Sequence, residues 1–353
     1  MKNNPFVSII MPVYNCDKDI ETAIKSVQNQ TMQEWELIIV DDCSTDETCD
    51  VVKKYAKDDS RIILIEKEEN SGPGNSKNRG IAIAKGQYIT FCDGDDWVEE
   101  CMLVDMSMNQ AICEDVIIAG YYRDLYDVDG NLQSTQLVST PATAVNEKSE
   151  IILNIPKIDQ SRLFSFAWNK LYKKGIITSH QIGFSDKRFG EDYDFNIAFF
   201  EHVSSMRIMD KGYYHYIKKN SESLTERYVP DFFEINKDRF LRMKKLMERH
   251  NVYLGEIQGM ILTAYIKHVL SAITRLNDQR AGLSGKEKRQ YVDRMLKDEM
   301  SLEAVRHAKA NSMGEKLCNM IFKTHSTTIN MMFGKALWFM QTKGKKVFEK
   351  MKG

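Results

Sequence analysis

The chain has 353 residues, of which 42% are hydrophobic and 28% are charged, and its formal net charge is -1. This composition provides enough apolar residues for the core of two domains or one elaborated domain, and it excludes a disordered or fibrous protein. No run of about 18 apolar residues occurs, and a strand-like segment follows the first few positions, so we expect a cytoplasmic protein without a spanning helix or signal peptide.

Strands and helices alternate along the first hundred residues. The predicted strands are 6–13, 36–40, 61–66 and 87–92, and the predicted helices are 17–29, 46–57 and 75–85. Such alternation predicts an α/β fold, with a mostly parallel central sheet and helices on its faces.

Two of these strands end in acidic turns. Asp41 and Asp42 follow the second strand, and Asp93, Gly94 and Asp95 follow the fourth. Ligands of open α/β sheets bind beyond the carboxyl ends of the strands, so we expect both turns to face one crevice. Clustered carboxylates need a cation or protonation, which indicates a divalent metal holding a diphosphate. The alternative is a solvated turn, because Asp and Gly favour turns anywhere.

The later chain divides into two further segments. A strand at 115–120 and a hairpin at 121–136 precede Glu191 and Asp192, which begin a helix at 193–200, and an aromatic strand at 213–217 follows. Helices are predicted at 231–250, 255–276, 285–300 and 302–310. We therefore predict three segments, at 1–110, 111–229 and 230–353, of which the last is a helical C-terminal region.

The sequence resembles the inverting family 2 glycosyltransferases, which have the GT-A fold. The resemblance is carried by residues 7–15 (VSIIMPVYN), 26–31 (SVQNQT), 36–46 (ELIIVDDCSTD), 78–80 (NRG), 86–89 (GQYI) and 93–97 (DGDDW). It extends to about residue 228, so the helical region is an addition to the family's fold. The resemblance implies that 1–110 is the nucleotide-sugar (donor) binding half of the GT-A domain and that 111–229 is its acceptor and catalytic half.

The resemblance implies a nucleobase pocket at the first acidic turn. In that pocket Asp41 accepts a hydrogen bond from a uracil-like base, and Asp42 lies close by. The residues that line the rest of the pocket are Pro12, Val13, Tyr14 and Asn15. For Tyr14 the alternative is an aromatic side chain of the core.

The resemblance also implies a metal site and a catalytic base. Asp93 lies nearer the ribose, and Asp95 binds Mn²⁺ or Mg²⁺, which bridges the two phosphates of the donor. Asp192, with Glu191 beside it, accepts the proton of the attacking hydroxyl. The alternative for Asp192 is a carboxylate that only complements the dipole of the helix it begins.

Further donor contacts are expected from two other segments. The residues Ser76, Lys77 and Asn78 stand where many family members have Ala-Arg-Asn, and Lys77 lacks the bidentate fork of arginine. Lys77, Asn78 and Arg79 are the candidate donor contacts of this segment, and the alternative for Arg79 is a solvated helix face. A loop after the aromatic strand closes over the diphosphate in many relatives, and its candidate donor contacts here are His215, Lys218 and Ser223. A surface strand with a polar turn is the alternative for this loop.

The last 43 residues contain eight Lys and two Glu among many aromatic and Met residues. This basic amphipathic tail predicts peripheral binding to the anionic inner face of the cytoplasmic membrane, and the alternative is a helix that closes the core or a dimer interface.

Together these patterns predict a metal-dependent inverting hexosyl- or N-acetylhexosaminyltransferase. It would transfer a sugar from a UDP-sugar to a glycan or lipid-linked acceptor during synthesis of a capsule or a similar surface polysaccharide. The alternative is an inactive nucleotide-sugar-binding scaffold of an assembly complex. No nucleic-acid partner is expected, and the sequence leaves open the sugar, the acceptor, the linkage and the oligomeric state.

Overall fold

The computed structural model describes residues 4–187, 190–219 and 232–340. The chain forms two compact units, residues 1–223 and 224–353. The limits of the three segments proposed from the sequence stay a prediction.

The first unit contains all ten strands of the described residues, in one sheet. The strands are β1 (Val7–Val13), β2 (Trp35–Asp41), β3 (Ile62–Glu66), β4 (Tyr88–Phe91), β5 (Trp97–Val98), β6 (Val116–Tyr126), β7 (Leu132–Val138), β8 (Thr143–Val145), β9 (Lys170–Lys173) and β10 (Met206–Lys219). Its helices are α1 (Ile20–Gln28), α2 (Thr48–Asp58), α3 (Pro73–Ile83), α4 (Met102–Met106), α5 (Lys148–Gln160), α6 (Lys174–Ser179) and α7 (Glu191–Phe200).

The sheet has the order β3-β2-β1-β4-β9-β6-β10-β5, with β7 paired to β6 and β8 to β10. Strands β1 to β4 are parallel to one another, as predicted from the alternation of strands and helices. β9 then inserts antiparallel between β4 and β6, so the second half of the sheet is mixed. This arrangement brings the segments around β9 and β10 beside the carboxyl end of β4.

The core of the first unit is built on the two central strands. In β1 and β2, Ile9, Ile10, Leu37 and Ile38 are completely buried, because helices cover both faces of this part of the sheet. Each such side chain contributes about 1.5–3 kcal/mol through removal from water. The strand ends, and the acidic turns that follow them, therefore rest on a rigid base.

The second unit is helical. Its helices are α8 (Phe232–Arg249), α9 (Gly255–Arg275), α10 (Gly285–Lys297), α11 (Glu299–His307), α12 (Met313–Lys323) and α13 (Thr327–Phe339). The sequence predicted that α10 would continue to residue 300, but Asp298 ends it, because the Asp298 side chain caps α11 by accepting from Met300 N–H. No helix among the described residues is long and apolar enough to cross a membrane.

Candidate active site

The carboxyl ends of β1 and β2 lie side by side, with Val13 paired to Asp41. Asp41 is buried, and its carboxylate accepts hydrogen bonds from the backbone N–H and the hydroxyl of Ser44. Asn15 links the two strand ends, since its N–H donates to Ser44 Oγ (3.0 Å) and its side-chain oxygen accepts from Thr45 N–H (2.8 Å). The first acidic turn therefore has a shape fixed by its own hydrogen bonds.

Asp42 is buried beside it and has a lysine partner. Its carboxylate accepts from Lys67 Nζ, from Ser71 N–H (3.0 Å) and from Gly72 N–H (2.7 Å). Burial opposes ionisation, but these hydrogen bonds outweigh it and hold the pKa of Asp42 below its ordinary value. Asp42 thus fixes the connection between β3 and α3 to the end of β2.

The predicted nucleobase residues meet at this edge of the sheet. Tyr14 directly follows β1 and is 50% exposed, which contradicts the alternative of a core aromatic. Val13 is buried below it and Pro12 is half-buried. An exposed ring next to the buried carboxylate of Asp41 provides a face for stacking and a hydrogen-bond acceptor.

The second acidic turn follows β4 and is fixed to β10. The N–H of Asp93 donates to the hydroxyl oxygen of Tyr214 (3.0 Å), and that hydroxyl donates to Asp96 Oδ2 (2.7 Å). Ile217 N–H donates to the other oxygen of Asp96 (2.8 Å). Asp96 therefore holds the turn in place, whereas Asp93 is half-buried and Asp95 reaches the surface.

Gly94 is needed for close packing of this turn. A Cβ atom at Gly94 would lie 2.7 Å from Val13 Cγ1 and 3.1 Å from Cys16 Sγ. Any larger residue would push the turn away from the end of β1. The structure therefore shows that Gly94 allows a close approach of this turn to the end of the first strand, and contact of Gly94 with a donor stays a prediction.

The second turn carries unrelieved negative charge. Burial, followed by the carboxylates of Asp95, Asp192 and Glu191, raises the pKa of Asp93 to about 7, against the opposing effect of Lys77. Desolvation also raises the pKa of Asp95. A nearby cation would lower both values.

This donor set fits a divalent cation that is shared with a substrate. In the part of the chain that the structure describes, no group of three or more His, Cys, Asp or Glu residues could hold a metal alone. Mg²⁺ and similar ions are commonly bound by one or two carboxylates plus substrate phosphates. Asp93 and Asp95 match that pattern.

Glu191 and Asp192 lie at the start of α7, after Gly190, whose φ of 83° is in the left-handed region that favours glycine. Lys77 Nζ on α3 donates to Asp192 Oδ1 (2.5 Å) and lies 3.3 Å from Glu191 Oε1. The other oxygen of Asp192 accepts from Ala167 N–H (3.0 Å). These partners give Asp192 a defined orientation that a carboxylate merely complementing the helix dipole does not require.

Lys77 is buried within this cluster. Burial disfavours its charged form, but the carboxylates of Asp192, Asp93 and Glu191 outweigh that cost and raise the pKa of Lys77 above its ordinary value. Burial also raises the pKa of Glu191, although Lys77 opposes the shift. Lys77 therefore joins the acidic turn after β4 to the start of α7 as one electrostatic cluster.

The remaining residues of the α3 motif occupy different positions. Asn78 exchanges two hydrogen bonds with the backbone of Phe184 (2.9 and 2.8 Å) and so holds the loop that leads to α7. Arg79 is exposed on α3. Donor contact by Asn78 and Arg79 stays a prediction, but Asn78 has a clear positioning contact.

The structure does not bring His215 together with the carboxylate turn. Its ring contacts Asp124 Oδ2 (2.7 Å) and Glu99 Oε1 (3.0 Å) and stacks on Trp97 at 3.5 Å. Neighbouring residues of a strand point to opposite faces, and Tyr214 occupies the face of the turn. This placement does not favour donor contact by His215.

Of the other predicted loop residues, Lys218 is half-buried near the end of β10. Ser223 lies outside the described residues.

Sequence reasoning gave no role to two residues that shape the site. Lys170 is buried, and its ammonium donates to the backbone oxygens of Leu163 (2.6 Å) and Phe166. It thereby holds the segment before Ala167, and burial lowers the pKa of Lys170 to about 7. Tyr214 fixes the acidic turn. The sequence signals for these two residues were the Trp-Asn-Lys run at 168–170, which contains Lys170, and the aromatic strand at 213–217, which contains Tyr214.

An α/β sheet with acidic turns beyond its strand ends and a lysine-paired Glu-Asp opposite is the arrangement expected of a GT-A glycosyltransferase. The family model "Glycosyl transferase family 2" matches residues 8–177. EpsH of Bacillus subtilis, provisionally named a glycosyltransferase, is 30% identical over 277 residues, 78% of this chain and 77% of EpsH. The chain belongs to glycosyl transferase family 2.

Two other proteins are similar over much of the chain. The uncharacterised glycosyltransferase EpsJ of Bacillus subtilis is 28% identical over 312 residues, 86% of this chain and 87% of EpsJ. The Staphylococcus aureus poly(ribitol-phosphate) beta-N-acetylglucosaminyltransferase TarS is 26% identical over 235 residues, 65% of this chain and 39% of TarS.

The crystal structure of TarS residues 1–349 in complex with UDP-GlcNAc superposes with a TM-score of 0.64 at 21% identity. The match covers 94% of this chain and 91% of that one. It confirms the predicted GT-A fold with a C-terminal helical region.

Proposed function

We propose that the protein is a metal-dependent inverting glycosyltransferase that transfers a hexosyl or N-acetylhexosaminyl group from a UDP-sugar to a glycan or lipid-linked acceptor. The observation that carries the proposal is the position of Asp192. It is held by Lys77 and Ala167 N–H and belongs to the same charged cluster as Asp93. A carboxylate oriented in this way beside a candidate diphosphate site is suited to act as a base.

Asp192 would act in a single displacement. The acceptor oxygen forms a bond to the anomeric carbon while the bond from that carbon to the diphosphate oxygen breaks, and the acceptor proton moves to Asp192. The electron pair of the broken bond leaves with UDP. Lys77 and Ala167 keep the carboxylate in one orientation, which reduces the reorganisation needed during the reaction.

The nucleotide end is assigned from the first acidic turn. The buried carboxylate of Asp41 and the exposed ring of Tyr14 provide an acceptor and a stacking face for a uracil base, with Asn15 fixing the turn between them. TarS was crystallised with UDP-GlcNAc, which supports the same donor class here.

The metal end is assigned to Asp93 and Asp95. When bound there, Mn²⁺ or Mg²⁺ supplies Lewis-acid stabilisation of the leaving diphosphate. Asp96 and Tyr214 keep the turn in position for that ion.

The acceptor is assigned by analogy with the relatives. TarS is named for a cell-surface polymer, poly(ribitol-phosphate). We propose a role in bacterial surface-polysaccharide synthesis, such as a capsule, lipopolysaccharide or teichoic-acid side chain.

The test is UDP release from a panel of UDP-sugars with Mn²⁺, using the purified protein. Wild type should release UDP from one sugar. Asp192→Asn should bind UDP normally but turn over at least about a hundredfold more slowly, because a base is lost. Asp194→Asn is the matched control, since the carboxylate of Asp194 on the same helix contacts Ser185 (3.3 Å) and Lys187 (3.2 Å) instead.

Two results would contradict the proposal. UDP binding without turnover of any sugar and acceptor would favour the inactive scaffold predicted as the alternative. Absence of UDP binding with every metal would remove the assigned donor site.

We also propose that the second unit binds an anionic membrane surface, as predicted from the basic tail. On α12, Met313, Leu317 and Met320 recur on one exposed face, and the exposed Lys316 and Lys323 flank it. This is the pattern of a helix that lies in a membrane interface.

The exposed face of α13 also carries apolar side chains bordered by a lysine. Ile329, Met332, Phe339 and Met340 lie within about 100° of one another around the helix, and exposed Lys335 borders them. Met313 and Met332 are 81% and 68% exposed, which is unusual for side chains of this size. The predicted tail from residue 341 lies outside the described residues.

Vesicle sedimentation tests this surface. Met320→Glu/Phe339→Glu should reduce binding to phosphatidylglycerol vesicles about tenfold or more, because each change removes apolar contact and adds a negative charge. Gln279→Glu/Gln290→Glu is the control, with the same charge change at exposed sites of the same unit. Removal of 334–353 should have a similar effect. Unchanged sedimentation of the Met320→Glu/Phe339→Glu double variant and of the truncated protein would contradict the proposal.

A further inference from the structure

A stack of aromatic rings connects the acidic turn after β4 with the anchor of Asp192. The rings of Trp168 and Tyr214 are 4.1 Å apart with planes at 12°, and Phe166 stacks on Trp168 at 4.6 Å and 19°. Tyr216 completes the group at 6.0 Å from Phe166 and 5.9 Å from Trp168. We call these four rings the aromatic platform.

One end of the platform lies at the acidic turn. Tyr214 accepts from Asp93 N–H and donates to Asp96. Tyr216 is two residues further along β10 and so projects from the same face of the strand. Burial, followed by the nearby charges of Asp96, Asp93 and Asp95, raises the pKa of Tyr216 to about 12, in agreement with this position.

The other end lies at the proposed base. Phe166 and Trp168 flank Ala167, whose N–H holds Asp192 at 3.0 Å. Lys170 donates to the backbone oxygen of Phe166, which restricts the segment further. The platform therefore has one end at the acidic turn after β4 and the other in the backbone segment that anchors the proposed base.

The two inner rings and the two outer rings differ in exposure. Trp168 and Tyr214 are buried, whereas Phe166 and Tyr216 are half-buried. No described residue hydrogen-bonds to the hydroxyl of Tyr216. The inner rings serve packing, and the outer rings keep an accessible aromatic surface.

We propose that Phe166 and Tyr216 form the acceptor subsite and that it takes a pyranose ring. The C–H face of a pyranose is apolar and weakly positive, and it stacks on the negative face of an aromatic ring, while its hydroxyls stay at the edge. A sugar stacked here would lie beside the segment whose Ala167 N–H anchors Asp192. The Tyr216 hydroxyl is a further hydrogen-bonding group for that sugar.

This inference rests on the proposed function and deepens it by naming the acceptor class. An open-chain polyol phosphate has no flat apolar face, so it gains little from stacked aromatic rings. The acceptor unit that receives the new sugar is therefore a cyclic sugar of the surface glycan. The inference departs here from the analogy with TarS, because a linear polyol phosphate such as the poly(ribitol-phosphate) for which TarS is named would be a poor acceptor.

The experiment measures two rates with the full chain, Mn²⁺ and the UDP-sugar that wild type uses. The first is UDP release to water, and the second is transfer to acceptors, probed with methyl pyranosides and ribitol 5-phosphate. Phe166→Leu and Tyr216→Leu keep apolar volume but remove the ring. Each should raise the acceptor KM about tenfold, and this change should exceed any change in UDP release to water or in UDP affinity.

Two matched variants separate stacking from packing. Tyr216→Phe keeps the ring and should stay within about threefold of wild type in acceptor KM. Tyr122→Leu removes a half-buried ring of the same sheet, which stacks on His215 at 4.7 Å, and should leave the acceptor KM unchanged.

The outcomes distinguish this inference from the function on which it rests. Normal UDP release to water with an unchanged pyranoside KM in both leucine variants overturns the subsite alone. Transfer to ribitol 5-phosphate that exceeds transfer to every pyranoside also overturns it. No UDP release by wild type overturns both proposals.

Discussion

Two turns of this protein have similar sequences but opposite electrostatics. Each follows a buried strand, with Asp41 and Asp42 after β2, and Asp93 and Asp95 after β4. The protein's own donors surround the first pair, and the pKa of Asp42 is lowered. In the second turn, burial and neighbouring carboxylates raise the pKa of Asp93 to about 7. Donors of the protein itself stabilise the carboxylates of the first turn, whereas an added cation would stabilise the carboxylates of the second.

The number of carboxylates that share each buried lysine explains why the pKa of Asp42 is lowered and that of Asp93 is raised. Lys67 is paired with Asp42, which also has two backbone donors. Lys77 is shared by three carboxylates. These are Asp93, Glu191 and Asp192. A cluster with this excess of negative charge is costly without a ligand, which is a common property of functional sites.

The largest effect is expected from Asp95→Asn, which removes one of the two proposed metal-binding carboxylates of the second turn. The catalytic efficiency kcat/KM for the donor should fall roughly a thousandfold, about 4 kcal/mol, because metal stabilisation of the leaving group is lost. The free energy of unfolding should not decrease, since the fold disfavours ionised Asp95. Asp50→Asn, on the exposed surface of α2, is the control. Activity within threefold of wild type would show that Asp95 does not bind the metal.

Lys77→Met should produce the next largest effect. It leaves three carboxylates without their shared cation, so kcat should fall about a hundredfold and the protein should lose about 3 kcal/mol of stability. Lys77→Arg should recover part of both losses. Turnover and urea unfolding are measured together, with exposed Lys85→Met as the control. A loss of stability with normal kcat would limit Lys77 to a structural role.

Asp42→Asn tests the first turn. It leaves Lys67 buried without its carboxylate, and the free energy of unfolding should fall by about 3 kcal/mol. Asp93→Asn should instead preserve or increase stability, because the raised pKa of Asp93 means that the fold disfavours its charge. Urea titrations of the two variants at neutral pH make the comparison. Equal destabilisation would refute the proposed difference between the turns.

The smallest effect is a pH dependence. The pKa of Asp42 is lowered below its ordinary 3.8, so its stabilising contribution is present above about pH 4 and is lost as the pH falls through the lower folded value. The stability difference between wild type and Asp42→Asn should therefore be constant from pH 5 to 8, as measured by urea unfolding. Below about pH 4 it should shrink, and a constant difference there would exclude the ionised carboxylate as its source.

Local patterns were sufficient for the first half of the fold. Strands β1 to β4 and helices α1 to α3 were predicted within about three residues, because apolar periodicity and acidic helix starts are properties of neighbouring residues. The antiparallel insertion of β9 was not predicted, since pairing between distant segments leaves no signal in either one. Whether Tyr214 or His215 faces the acidic turn depended on the pairing of distant strands in the same way.

The sequence by itself determined the fold family and the two acidic strand ends, and it predicted Glu191-Asp192 as the second half of the site, because these features depend on residue type, order and spacing. Only the tertiary structure decided how the charges are paired. Lys77 contacts Asp192 across 115 positions of the chain, and no local sequence pattern around either residue predicts that contact. The same physics lowers the pKa of Asp42 and raises that of Asp93. Burial strengthens every electrostatic interaction, so the outcome depends on which charged groups lie nearby.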